Sequence, residues 1–302
     1  MKICSYVIVD NLLRTVDYYA KPAAPIEIHS CAKPFQLIPL FLLGLDYVYH
    51  FSDEELAIMM SSSLGQENQV KVISNLLKKV NITPNDLFLD AVAPVGYKAY
   101  AQWKKVCARK SILFHPCVGN HIAMCLAQRA LSGSTFGYLS VDSPVQKMIT
   151  SVIRDFCGKE ILLAGTDNCG APCFSMPLEN LATGYYQFKT SCAIFSQQGY
   201  NRAIKRIRTA AYHFPSLLEG EKCLSTAVSR QNGLFGKTGI NTTFAVCVDK
   251  KDCAISLYSE NGNWADVAYT IKRLLLAMGC ASRHLCLELD DIITMSESDS
   301  LF

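Results

Sequence analysis

The sequence predicts an α+β fold, with an antiparallel sheet from the terminal strands packed with a helical lobe. Three observations carry this expectation. Short apolar runs of strand character open the chain, helical spacing dominates its middle, and near the end the apolar period switches back to strands.

Taken in order, Ile3 to Val9 and Thr15 to Tyr19 read as strands joined through a turn at Asn11. Pro22 and Pro25 interrupt the chain before a third run, Ile26 to Ile28. Ser52 with Glu55 makes a capping box ahead of Leu56 to Met60. Val70, Ile73, Leu76 and Leu77 then recur at helical spacing. Ser143 as cap, Pro144 in the first turn, and Val145, Met148, Ile149, Val152 and Phe156 define a helix closed by Gly158. Further helices are expected over 119–131, 177–188, 203–213 and 224–231. Thr243 to Val248 and Cys253 to Tyr258 form a hairpin across Asp249 to Asp252. A helix carrying Trp264, Val267, Ile271, Leu274, Leu275 and Met278 stops at Gly279, and Ser296 to Phe302 read as a loose tail. No repeat or linker divides the chain, so one domain over 1–302 is expected, its sheet drawn from 1–28 and 235–290 and its helical lobe from 30–232.

Composition excludes several function classes. Formal net charge is +3, from 29 basic and 26 acidic residues, too even a balance for a nucleic-acid partner. The one basic cluster, Arg202, Lys205, Arg206 and Arg208, reads as the wet side of a helix whose dry side carries Ile204, Ile207 and Ala211. The longest apolar stretch, Leu37 to Leu45, is far below the roughly 20 residues that span a bilayer. No signal peptide is legible after Lys2, so the fourteen cysteines are expected as reduced, mostly core thiols of a cytoplasmic protein.

Two constellations carry chemistry. Ser30-Cys31-Ala32-Lys33 is an S-x-x-K, which on a helix sets the lysine amine beside the serine hydroxyl. Serine is a weak nucleophile and needs such a neighbour to take its proton. The spacing alone recurs by chance as a capping serine and a surface lysine. Lys237-Thr238-Gly239, expected on a late sheet strand, raises the odds, because S-x-x-K followed by K-T-G is the order of the penicillin-recognising serine enzymes. For the third element of that set, a serine among Ser61, Ser62 and Ser63 and the segment Thr166-Asp167-Asn168 both qualify. The second constellation pairs Cys117 with His121 and Cys169 with Cys173, each four apart; they read either as packed core thiols or as zinc ligands.

From about Val7 to Gly279 the chain resembles the L-asparaginase II proteins of the Rhizobium type, whose fold is similar to serine β-lactamases and glutaminases. The densest match is His29-Ser30-Cys31-Ala32-Lys33-Pro34-Phe35-Gln36 with Pro39-Leu40, against the family's R-S-x-x-K-P-F-Q-x-x-P-L. Phe51 to Met60, Pro116 to His121, Asp142 to Gln146, Asp167 to Pro172 and Lys237 to Gly239 follow in family order.

The resemblance implies Ser30 as nucleophile, Lys33 as its base, Ser62 as the second active serine and Lys237 as the strand lysine. It implies substrate contacts at Asp167, Thr238 and Gly239, a zinc ion on Cys117 and Cys169, and a homodimer. Asparagine or a related small amide is the expected substrate. The departures fall on the substrate side. Asn120 replaces a lysine beside the metal cysteines, Ser63 and Gln66 replace a histidine and an acid, and His29 replaces the arginine before the nucleophile. The family's G-x-R-x-D is Gly220 to Leu224 here, and its opening E-S-x-H-x-G segment is expected to be missing. A divergent acyltransferase or cyclase, or a catalytically silent scaffold, is the alternative reading.

Overall fold

Apolar segments from both ends of the chain meet in one sheet. The computed structural model describes residues 1–106, 109–189 and 198–297. In chain order the strands are β1 (Ser5–Val9), β2 (Thr15–Tyr19), β3 (Ile26–Glu27), β4 (Leu162–Thr166), β5 (Pro172–Met176), β6 (Leu234–Gly239), β7 (Thr243–Val248) and β8 (Cys253–Tyr258). Five of them form an antiparallel sheet in the order β2-β1-β8-β7-β6. The other three form a small sheet, β3-β5-β4.

Both differences from the expected sheet have a physical reason. The run at Ile26 does not join the terminal sheet, because both edges of β1 are already taken, by β2 and by β8. It pairs with β5 instead, Ile26 opposite Met176. The β4–β5 hairpin was not expected because β4 is wholly exposed and β5 wholly buried, so neither shows the alternation that marks a half-buried strand.

The helices are α1 (Lys33–Leu42), α2 (Leu45–Tyr49), α3 (Asp53–Met59), α4 (Glu67–Val80), α5 (Tyr97–Lys105), α6 (Val118–Ser132), α7 (Pro144–Cys157), α8 (Leu178–Tyr186), α9 (Gln198–His213), α10 (Pro215–Leu218), α11 (Leu224–Arg230), α12 (Trp264–Ala277) and α13 (Arg283–Glu297). The expected caps are present. Ser52 Oγ accepts from Glu55 N while Glu55 accepts from Ser52 N, and Ser143 Oγ accepts from Gln146 N. Helix α13 corrects two expectations. Residues 283–290 are not sheet, and Ser296 lies within this helix rather than in a tail; 298–302 fall outside the described residues. Its apolar side, Leu285, Leu289, Ile292 and Ile293, alternates along the sequence with part-buried Glu288 and exposed Asp290 and Asp291. The basic cluster on α9 is corrected too. Arg202 bridges to Asp46, Arg206 donates to Phe51 O, and Arg208 is buried against Asp249. Of the four, Lys205 alone is exposed.

The sheet is covered on both faces. Ile8, Val246, Val248, Ile255 and Leu257 turn into a core with α11, α12 and α13. Val7, Val9, Phe235, Ala245 and Ala254 turn the other way, into the larger core of the helical lobe. Successive residues alternate across a strand. Lys237 therefore faces the helical lobe with Phe235, opposite the small Ala245 of β7. Among the described residues no helix is long and apolar enough to cross a membrane.

Candidate active site

Ser30 stands on a 3-10 turn, His29–Ala32, that leads directly into α1, whose first turn carries Pro34. One contact holds that turn against β6 and another ties it to α8. Cys31 Sγ donates to Lys237 O at 3.2 Å, and Tyr185 Oη donates to Cys31 O at 3.0 Å. Gly239 is what permits the approach, since a Cβ there would sit 2.6 Å from Ile28 O. The turn begins at His29 in the left-handed region, φ +41°. A non-glycine residue there costs about 1 kcal/mol or more.

The loop after α3 brings the second serine. Ser62 N donates to Leu218 O at 2.7 Å and Ser63 N to Pro116 O at 3.0 Å. Gln69, fully buried on α4, accepts from Ser63 Oγ, Leu64 N and Gln66 N and so fixes the loop. Sequence reading missed Gln69; the Gln66-x-x-Gln69 spacing, a capping box in the structure, was the available signal. Gly119 lets α6 close on the last turn of α3, just before this loop, because a Cβ there would lie 2.0 Å from Ile58 O.

Two buried lysines converge on Ser62. Lys237 Nζ lies 2.9 Å from Ser62 Oγ, and Lys33 Nζ lies 3.4 Å from the same oxygen. Lys33 also donates to Ser61 O at 2.6 Å and Pro116 O at 3.4 Å. Burial pushes the Lys237 amine below the ordinary lysine range, nearby Glu219 opposes this, and the charge of Lys33 adds to it. Of the two candidates for the third element, the structure thus brings Ser62 to the lysines, while Thr166 is exposed on β4. Ser30, half-buried, lines the same cleft as Ser62, Thr238 and Gly239. Among the described residues no hydrogen bond joins Ser30 Oγ to Lys33 Nζ, so the pairing expected from the S-x-x-K spacing is not formed; the lysine reaches past it to the second loop, and both amines stand on Ser62 instead.

Thr238 is held from behind. Its Oγ1 donates to Glu219, Ser225 Oγ lies 3.1 Å from it, and its N–H donates to Ser225 Oγ at 3.0 Å. Glu219 and Ser225 carry no motif, and no sequence signal points to them. Asp167 lies in the turn between β4 and β5 and faces the cleft. Burial pushes its carboxyl up, but His29, 3.4 Å away, holds it below the usual range. His29 is in turn raised to about 10 by its bonds to Asp167 and Cys173. The imidazole also meets Glu27 at 3.1 Å and the Asn241 amide at 2.8 Å.

Cys117 stands at the N-cap position of α6 and is hydrogen-bonded to Cys169 of the β4–β5 turn. The bond from Cys169 holds Cys117 well below the thiol range, and the same bond pushes Cys169 up. Cys173 goes instead to His29, and His121 binds Tyr138 Oη at 2.7 Å, where burial lowers it to about 4 and keeps it neutral. A thiolate–thiol pair has the donor chemistry zinc favours, yet it fills two of the four positions of a tetrahedral centre. Among the described residues no third His, Cys, Asp or Glu ligand atom lies within 4.8 Å of both sulfurs. The residues present therefore do not close a zinc site by themselves. The twelve cysteines among the described residues are free thiols.

Fold and site together define an α+β protein with a serine–lysine cleft where its sheet meets its helical lobe. The sequence pattern of the L-asparaginase II family matches residues 1–298, and the chain belongs to that family. Membership points to a hydrolase, an asparaginase-like amidohydrolase. No curated protein matches the chain.

Proposed function

We propose that the chain hydrolyses an amide through an acyl-enzyme on Ser30. The observation that carries this reading is the convergence of two buried amines, Lys33 and Lys237, on the Ser62 hydroxyl in the cleft that Ser30 lines. Ser30 Oγ attacks the amide carbon and its proton passes to Lys33. The tetrahedral intermediate collapses, the C–N bond breaks, and Ser62 gives its proton to the departing nitrogen. Lys237, 2.9 Å behind, restores that proton and carries positive charge towards the forming anion. Water then attacks the acyl-Ser30 ester by the reverse route and releases the acid.

Asp167, Thr238 and Gly239 line the cleft and would hold the substrate. Cys117 and Cys169 would be the protein ligands of a zinc ion, and no step above runs through it. The order of S-x-x-K on a helix start and K-T-G on edge strand β6 supports a serine β-lactamase-like arrangement, with sheet and helical lobe as one domain.

The test is mass spectrometry of the protein quenched during turnover of an amide or ester. An acyl mass on the peptide containing Ser30, absent in Ser30→Ala, is the expected result. Amide turnover in Ser30→Ala falls by at least a thousandfold with the circular dichroism unchanged. An adduct on Ser62 instead would assign the nucleophile to the serine between the lysines and overturn this scheme.

A further inference from the structure

Tyr97 and Ile240, both more than half exposed, stand at the mouth of the cleft, while Glu219 lines its wall half-buried. Glu219 lies just before α11, and the charged residues that follow it are engaged elsewhere. Glu221 pairs with Arg230 at 2.8 Å, and Lys222 faces Asp291 at 3.6 Å. Glu219 turns in to β6 instead, and both its carboxylate oxygens are used there. One accepts from Thr238 Oγ1, the other from Ser225 N at 3.1 Å. Gln69 Nε2 donates to Glu219 O at 3.1 Å and steadies its backbone.

These bonds fix the direction of the protons around Thr238. A threonine hydroxyl has one proton and two lone pairs. With its proton on Glu219, Thr238 Oγ1 can only accept from its other neighbours. Ser225 Oγ, 3.1 Å away, gives it one hydrogen bond, and Lys237 Nζ, 3.4 Å away, gives it another. The Lys237 amine donates as well to Thr238 O at 3.3 Å and to Ser62 Oγ at 2.9 Å. Three acceptors thus surround an amine that, when charged, has three donors and no lone pair. A neutral amine would set its lone pair against one of them. The titratable groups that act on Lys237 from the elements packed around it are Glu219, Lys33, Cys31 and Cys117. Burial and Lys33 work against its charge, and Glu219 is the largest influence in its favour.

We propose that Glu219 is a positioning residue of the amide hydrolysis: through the Thr238 hydroxyl it keeps the Lys237 ammonium aimed at Ser62. This rests on the proposed acyl-enzyme at Ser30, in which Lys237 restores the proton that Ser62 gives to the departing nitrogen. Among the described residues Glu219 makes no hydrogen bond to Ser30 or Ser62, and it acts through Thr238 and Lys237. Its removal frees the Thr238 proton to turn towards Lys237 and leaves a buried charge without its counter-ion.

Lysine labelled with carbon-13 at Cε reports the state of the Lys237 amine directly, its resonance identified by its loss in Lys237→Ala. In Glu219→Gln the titration midpoint of that resonance falls by about one pH unit or more. The alkaline limbs of kcat and kcat/KM for L-asparagine and L-glutamine move down with it, while KM changes less than threefold. Glu219→Asp keeps the charge and returns midpoint and limbs to near their natural places. Glu221→Gln, on the neighbouring acid, leaves both where they are. Thr238→Val removes the link itself and moves the midpoint the same way, so the test stands even if Glu219→Gln does not fold. A midpoint that stays in place in both variants, with turnover lost evenly at every pH, shows a structural prop; it overturns the inference and leaves amide hydrolysis standing. A moved midpoint with unmoved limbs also overturns it, because the charge of Lys237 then has no part in turnover. No turnover and no acyl mass on Ser30 with either amide brings down the hydrolytic reading, and this inference with it.

Discussion

Lys237 is buried with its amine on the Ser62 hydroxyl, where burial and the nearby Lys33 work against its charge and Glu219 favours it. Replacing it with Ala removes the group behind Ser62 and leaves that hydroxyl to Lys33 alone. General acid–base groups contribute about 10²–10⁴ in rate, and a loss of this order in kcat with little change in KM is the expected result. His29 yields a prediction about pH. Its neighbours are Glu27, Asp167, Cys173 and Asn241, and the bonds to Asp167 and Cys173 outweigh burial to hold the imidazolium to about pH 10 against an ordinary 6.5. A raised pKa stabilises the fold fully below the unfolded value and loses that contribution as pH rises towards the folded one. Urea midpoints of the natural protein should therefore fall between pH 6.5 and 10. His29→Gln should start lower and change less over that range, with the two curves closing near pH 10. Parallel curves would show that the imidazolium contributes nothing.

Two glycines decide how closely the elements carrying the site can approach. In Gly119→Ala the new methyl meets Ile58 O on α3, and neither backbone can yield without disturbing the loop of Ser62. The expected cost is about 1–3 kcal/mol, towards the upper end, read from denaturant midpoints. In Gly239→Ala the methyl meets Ile28 O and pushes the turn of Ser30 away from β6. There the expected result is a fall in kcat of at least tenfold together with a stability loss of about 1–3 kcal/mol. The sequence made S-x-x-K and K-T-G legible because both are local patterns with fixed spacing. It left open which serine meets the lysines, because Ser62 is fixed by Leu218 O and its neighbour Ser63 by Pro116 O, contacts distant in sequence. Glu219 and Ser225 stayed hidden for the same reason: a polar side chain turned inward to satisfy a loop or strand reads like any surface residue. The β4–β5 hairpin was invisible since one strand is all exposed and the other all buried, whereas the capped helices were plain.

At the scale of the whole molecule, the sheet separates two cores and the cleft opens where the helices of both come together around β6. Helix α13 closes the smaller core through Leu285, Leu289, Ile292 and Ile293, and Ile292 also reaches the cleft wall. Leu289→Ala, in a fully buried position, should cost about 2–5 kcal/mol in denaturant unfolding. If it costs less than 1 kcal/mol, α13 is an appendage and not part of that core. The glycine at 239 has one more consequence, for anyone who would redesign this protein. Saturation libraries should prove barren at 119 and 239, where the backbone already fills the space a larger residue would need. They should prove permissive at 97 and 240, whose side chains reach into open water. Selectivity can then be altered from the mouth inward, while the hinge between nucleophile turn and strand admits no variation at all.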